Sequence, residues 1–162
     1  MRAGAPAGAI VRPTWVYGPG DKAFSLIARG VRFAPVLPIP GDGRQRMQPV
    51  YVGDVAEAVV AALLRDEAAG GTFEVGGPDI LTFDDIVRAV GDAVGRCPPL
   101  VHLPLGPLRT LAALAARLPG PPLTPDALEF ATMGALADSA GVAERLGVRP
   151  LSLREGLALY LG

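Results

Sequence analysis

Ile10-Val11-Arg12-Pro13-Thr14-Trp15-Val16-Tyr17-Gly18-Pro19-Gly20-Asp21 reads as a short strand that stops hard and then turns. Ala9 to Arg12 lean towards β structure, and Pro13, which has no N–H to give to a ladder, closes the run. The chain stays extended to Tyr17, and Gly18-Pro19-Gly20-Asp21 reverses it. Working outward, Phe24, Leu26, Ile27, Val31 and Phe33 recur at three- and four-residue spacing, which predicts a short helix over 23–33. The proline-punctuated run Pro35-Val36-Leu37-Pro38-Ile39-Pro40 then meets Gly41-Asp42-Gly43. That is hairpin chemistry, so Gln48-Pro49-Val50-Tyr51-Val52 is expected to return beside it as the second arm.

Next, Asp54 as N-cap and Glu57 as its reciprocal partner predict a helix running to about Arg65, with Val55, Val59, Ala62 and Leu63 on one face. Gly70-Gly71 breaks it, Thr72-Phe73-Glu74-Val75 is a strand, and Gly76-Gly77-Pro78 is a sharp turn. Thr82 and Asp85 open a second capped helix that carries Phe83, Ile86, Val87, Val90 and Val94 inward and stops at Gly95. Leu100 to Leu103 form a further strand. An Ala/Leu helix from Leu105 to Leu118 is stopped by Pro119-Gly120-Pro121-Pro122. Its polar face holds only Arg109, Thr110 and Arg117, thin for a membrane-surface helix, so packing on its own lobe or on a partner is the preferred reading. Thr124-Pro125 opens a helix over 126–133. Short helices near 140–146 and 153–161 finish the chain, the last with Ser152 and Glu155 as a capping box. The alternation of strands and helices predicts an α/β protein with a partly parallel sheet.

Composition excludes several classes of function. The chain has 162 residues, 15 basic and 16 acidic for a net charge of -1, and no Lys/Arg block, so it lacks the footprint of a nucleic-acid binder. Cys97 is the sole cysteine and His102 the sole histidine, which removes a disulfide framework and a Cys or His metal cluster; no metal site is expected. His102 itself reads as an ordinary residue at a strand end. The 21 glycines and 17 prolines accompany 50% hydrophobic and only 19% charged residues, so they read as loop punctuation in a folded chain rather than as disorder. No run of 18 apolar residues and no secretory signal occur, and a cytoplasmic location is expected.

Three segments carry specific information together: Ile10 to Asp21, then Gln48-Pro49-Val50-Tyr51-Val52-Gly53-Asp54-Val55-Ala56, then Thr72-Phe73-Glu74-Val75-Gly76-Gly77-Pro78. Their order and spacing resemble the C-terminal half of extended and atypical short-chain dehydrogenase/reductase proteins, the NAD-dependent epimerase/dehydratase-like superfamily. Within it, the chain looks most like the atypical branch that contains the accessory subunit of respiratory complex I. The resemblance runs from about residue 9 to 162. It implies a partial Rossmann-like sheet, late strands only, plus a small C-terminal substrate-binding lobe. Residues 9–12 and 72–75 would belong to the nucleotide-binding sheet, and 22–52 and 98–162 mainly to the lobe. It also implies NAD or NADP as cofactor, with Pro13, Thr14 and Val16 facing the nicotinamide and Tyr17, Arg46 and Gln48 facing the substrate. Arg46 offers a planar fork suited to carboxylate or phosphate, or it is a surface arginine beside an exposed hairpin. Trp15 stands where sugar-nucleotide epimerases commonly carry an Asn, which speaks against a nucleotide-sugar substrate.

Two parts of the family machinery are missing from the sequence. No G-x-x-G-x-x-G or G-x-G-x-x-G follows a strand, so no helix N-terminus is set up for a pyrophosphate. None of Tyr17, Tyr51 and Tyr160 has a Lys four residues on, so the Tyr-x-x-x-Lys pair that would lower a phenol pKa for proton exchange is absent. No catalytic residue is therefore assigned. The chain is expected to begin after the helix that would carry that pair, and to be incompetent for hydride transfer alone. Two readings stay open: the substrate-lobe portion of an oxidoreductase or epimerase-like protein, or a non-catalytic binding or assembly module, with peripheral membrane association in the second. In either, the edge of the first strand is expected to take a second copy or the missing N-terminal half.

Overall fold

The computed structural model describes residues 8–115, 128–129 and 132–161. It is a mixed α/β chain with short parallel sheet pieces, divided into two compact units: Met1–Ser25, Gln48–Ile80 and Ala135–Gly162 form the first, Leu26–Met47 and Leu81–Gly134 the second.

In the first unit, β1 (Ile10–Pro13) pairs in parallel with β6 (Thr72–Val75) over four residues, and β2 (Val16–Tyr17) with β5 (Val50–Tyr51) over two. Ile10 N donates to Gly71 O and Thr14 N to Val75 O, at 2.9 and 3.0 Å, so the even positions of β1 serve β6. The odd positions face the other edge, where Pro13 has no N–H to offer. Helix α2 (Val52–Leu64) links β5 to a 3-10 turn at Asp66–Ala68 and so to β6. The core of this unit is Val50, Ala58, Ala68, Phe73, Val75, Val142, Leu146 and Val148, with Val11, Val16, Val55, Ala61 and Ala62 packed against it. Each large side chain of this cluster contributes roughly 1.5–3 kcal/mol, beside the buried Trp15, Tyr17, Phe24, Leu153 and Leu157 of the same unit.

In the second unit, β3 (Leu37–Pro40) pairs in parallel with β8 (Leu100–Leu103), and β4 (Arg46–Met47) in antiparallel with β7 (Leu81–Thr82). Leu37 N donates to Pro99 O and Gly41 N to Leu103 O, so positions 37, 39 and 41 face β8 while Pro38 and Pro40 face away, where no donor is required. Helix α3 (Phe83–Val94) has the expected capping box, Thr82 with Asp85, and ends at Gly95 in the left-handed region at φ 72°. The Thr82 hydroxyl donates to Asp85 and holds its carboxyl below the usual range. Phe83, Ile86, Val87 and Val90 are buried as predicted, whereas Val94 is half-buried. Helix α4 spans Leu105–Ala115; its expected stop at Pro119 and the Thr124-Pro125 cap lie outside the described residues. Helix α1 (Ala23–Phe33) forms where the spacing predicted it, opened by Asp21 accepting from Phe24 N at 2.6 Å.

Four expectations are corrected. Residues 35–40 and 48–52 do not form a hairpin. Of the expected return run only Val50 and Tyr51 are strand, as β5 beside β2; Arg46–Met47 just before it form β4 beside β7, and Gly43 O and Gln45 O accept from Asp84 N and Phe83 N at the start of α3. Asp54 is not the N-cap of α2. The helix starts at Val52 after Tyr51, and the Asp54 carboxylate is turned inward to accept Leu151 N at 2.9 Å. The short helix near 140–146 is a π-helical turn, Val142–Leu146, closed by Gly147 at φ 67°. The last helix, α5 (Leu153–Ala158), keeps its Ser152/Glu155 box but ends three residues early.

Burial pushes the Asp54 carboxyl up from its ordinary value, with Glu57 and Glu155 adding repulsion against the Leu151 hydrogen bond. A folded-state value above the unfolded one means that the stability from protonated Asp54 is complete below the unfolded value and is lost as pH rises through the folded one. Asp54→Asn keeps an acceptor for Leu151 N and loses the titration. Denaturant melts should therefore show the variant gaining on the parent as pH rises from about 4 to 7, given an unfolded aspartate near 3.9; a constant difference across that range would refute this account.

Candidate functional site

Ligands of open α/β sheets sit outside the carboxyl ends of the strands. In the first unit those ends are Pro13 of β1 and Val75 of β6, followed by Thr14 and by Gly76-Gly77. The Thr14 hydroxyl donates to Gln48 O and also lies 3.4 Å from Val75 O. Gln48 is 6% exposed and fully engaged: its N donates to Ala135 O at 2.8 Å, its Nε2 to Gly77 O at 2.7 Å, and its Oε1 accepts Ala137 N at 3.0 Å. Gly76 N donates to Ser139 Oγ at 2.9 Å. One amide thus ties together the β5 approach, the turn after β6 and the return segment at 135–137.

The paired glycines have a packing reason. A Cβ on Gly76 would stand 2.7 Å from Gln48 Cδ, and one on Gly77 would collide with Pro49 O, a backbone atom that cannot rotate aside. Space that could have cradled a ligand is filled by the chain itself.

Beyond Val16, Tyr17 is wholly buried among Phe24, Tyr51 and Tyr160, with ring centroids 4.9, 5.8 and 6.4 Å away, and Trp15 lies tilted against Phe24 with centroids 4.6 Å apart. Its hydroxyl donates to Ser152 O at 3.4 Å and sits under Gly156, where any Cβ would collide with it. Burial, then the charges of Asp54 and Asp79, push the phenol above its ordinary value, so Tyr17 keeps its proton. Tyr160 donates to Asp21 at 3.4 Å and is raised for the same first reason.

Of the residues named from the sequence, Thr14 and Gln48 are in direct contact, and Pro13, Val16 and Tyr17 share their unit. Pro13 is exposed, Thr14 and Val16 are half-buried, and Tyr17 and Gln48 are buried. Arg46 is exposed on β4 of the second unit, opposite Thr82.

Sequence reading missed a second cluster. In the second unit, His102 Nε2 lies 3.0 and 3.1 Å from the two carboxylate oxygens of Asp84. The pair borders a cavity of about 430 Å³ with Asp42, Arg44, Thr82 and Arg88. Gly43, at φ 67°, leaves room for it, since a Cβ there would collide with Asp84. Arg88 pairs with Asp84 and Asp85 at 3.7 and 3.4 Å, which balances the charge. The signal was weak in sequence, because His102 and Asp84 meet only through the β3–β8 pairing and the packing of the Gly41–Gly43 turn. Among the described residues, no three His, Cys, Asp or Glu side chains converge on a metal position.

Removing the Gln48 amide is the direct test of the first cluster. Gln48→Leu strands Gly77 O and Ala137 N, at about 1–3 kcal/mol each, so unfolding free energy should fall by roughly 2–6 kcal/mol. Gln48→Glu keeps the acceptor for Ala137 N but sets an oxygen against Gly77 O, and should be worse at neutral than at acid pH. A Gln48→Leu protein that melts within about 0.5 kcal/mol of the parent, the range of an ordinary surface change, would refute the role.

Residues 2–76 match the family model described as "NAD dependent epimerase/dehydratase family". Among curated relatives, NADH dehydrogenase [ubiquinone] 1 alpha subcomplex subunit 9, mitochondrial, of Arabidopsis thaliana is 32% identical over 144 residues, covering 86% of this chain and 36% of that protein. Ceramide reductase of Caulobacter vibrioides is 34% identical over 120 residues, 70% of this chain and 36% of its own. Among solved structures, UDP-glucuronic acid 4-epimerase from Bacillus cereus in complex with NAD superposes with a TM-score of 0.67 at 24% identity, over 94% of this chain and 42% of that one. The chain therefore spans little more than a third of the length of these curated relatives.

Proposed function

Through residues 2–76 the chain belongs to the NAD dependent epimerase/dehydratase family, and from that premise we propose that it supplies late strands of a nicotinamide-dinucleotide sheet and the substrate lobe of a short-chain dehydrogenase/reductase-like protein, without completing a hydride-transfer site by itself. The observation that supports this is the parallel β1–β6 pair, whose ends release Thr14 and Gly76-Gly77 where such sheets receive ligands. Pro13, Thr14 and Val16 would line the nicotinamide end of an NAD or NADP site, and Tyr17, Arg46 and Gln48 the substrate side. Tyr17 and Gln48 would act through the backbone they hold, since their polar atoms are engaged with Ser152, Gly77 and Ala137.

The described residues fit the dinucleotide only in part. The glycines after β6 are packed against Gln48 and Pro49 and offer no cradle to a pyrophosphate. A bound nicotinamide would supply hydride chemistry; these residues contribute a rim and a protonated, buried phenol, and no group poised to exchange a proton. Titration calorimetry of the folded chain with NADH and with NADPH should accordingly give no saturable heat up to millimolar cofactor, about the -4 kcal/mol threshold of useful binding. Submillimolar affinity for either would overturn the claim of incompetence.

A second reading, a non-catalytic binding or assembly module, is favoured by the likeness to the NADH dehydrogenase subunit over most of this chain. It rests on the outer edge of β1, which has no partner strand among the described residues and exposes Ile10. Such an edge is a template for another chain. Sedimentation velocity should then show concentration-dependent self-association; a clean monomer across the accessible range would count against this reading.

A further inference from the structure

Two helices expose apolar side chains that a soluble helix ordinarily hides: α2, with Val60, Leu63 and Leu64, and α1, whose outward face alone interleaves them with arginines. Phe24, Ala28 and Val31 are buried on one side of the helix. The opposite side would ordinarily be polar. Instead it carries Leu26, 60% exposed, and Phe33, 78% exposed, two helical turns or about 10 Å apart on one stripe. Arg29 lies between them, Arg32 flanks them, and Val36 continues the exposed apolar surface just past the helix end.

The charge is one-sided as well. From Lys22 to Gly41 the sequence contains no carboxylate. Among the described residues neither Arg29 nor Arg32 makes an ion pair. The carbonyls of Val31 and Arg32 at the helix end accept from Arg96, which anchors that end and adds a third guanidinium beside it. Two unpaired cations interleaved with protruding Leu and Phe side chains suit a phase that is anionic at its surface and apolar just beneath. A soluble acidic partner would match the arginines and leave the stripe of Leu26 and Phe33 without a reason.

We propose that the outer face of α1, Leu26, Arg29, Arg32, Phe33 and Val36, docks the protein on an anionic lipid bilayer. The helix lies along the surface, with the two guanidinium groups among the headgroup phosphates and the apolar side chains dipping into the acyl boundary. No helix among the described residues is long and apolar enough to cross a membrane, so attachment by this face is peripheral and reversible. The proposal is independent of cofactor binding, and the NADH titration has no bearing on it.

Vesicle co-sedimentation of the full chain tests it, with phosphatidylcholine vesicles against phosphatidylcholine/phosphatidylserine mixtures. The parent should partition onto the mixed vesicles only, and less so as salt is raised. The double variant Arg29→Ala/Arg32→Ala should bind the mixed vesicles about 25-fold more weakly, from about fivefold for each cation lost. Leu26→Ser/Phe33→Ser should lose at least about tenfold with all charges intact. All four side chains are exposed, so circular dichroism should show both variants folded, and Arg29→Lys/Arg32→Lys should bind nearly as well as the parent. Failure of the folded parent to prefer anionic vesicles overturns the proposal and assigns the face to a soluble partner. Unchanged binding by either double variant overturns it equally.

Discussion

The carboxamide of Gln48 is the constraint on which the first unit depends. The carboxamide accepts Ala137 N and donates to Gly77 O, two stretches far apart in sequence, while the backbone O of the same residue takes the Thr14 hydroxyl. No regular ladder serves Gly77 or Ala137, and the buried Gly77 O would otherwise have no partner. Both glycines after β6 follow from it. Their missing side chains let the Gln48 amide reach Gly77 O and leave room for Pro49 O.

The far end of the same unit is held by a similar device built from charged groups. Leu151 N is taken by Asp54, Ser152 N by Glu155, Leu153 N by Asp79, and Ser152 O accepts from Tyr17. Three consecutive N–H groups at the start of α5 and one carbonyl are thus satisfied by side chains from four places. The raised Asp54 carboxyl is the cost of recruiting one of those side chains from inside the packing, where a charge is poorly solvated.

These devices separate what could be read in the sequence from what could not. Local chemistry was legible: the Thr82/Asp85 and Ser152/Glu155 boxes, the Gly95 stop and the strands at 10–13, 72–75 and 100–103 lie where spacing and propensity put them. Each depends on residues within about one turn of one another. Pairing was not legible, because a parallel strand is chosen by elements dozens of residues away. Gly41-Asp42-Gly43 has real turn chemistry, yet the segments flanking it join β8 and β7 rather than each other. Asp54 followed the cap pattern with Glu57, and a distant N–H claimed its carboxylate. Of the site residues, Gln48 was picked out by resemblance, but its three-way engagement depends on residues 77 and 135–137, which no spacing rule connects to it.

The prolines of β3 have a consequence for how large this sheet can become. With positions 37, 39 and 41 turned to β8, the opposite margin of the strand presents carbonyl oxygens at 38 and 40 and no N–H at either. A strand arriving there from another molecule would find acceptors without donors, half of what a ladder needs. The second unit therefore carries its own terminator of lateral growth, written into the alternation of a single tetrapeptide, Leu37-Pro38-Ile39-Pro40.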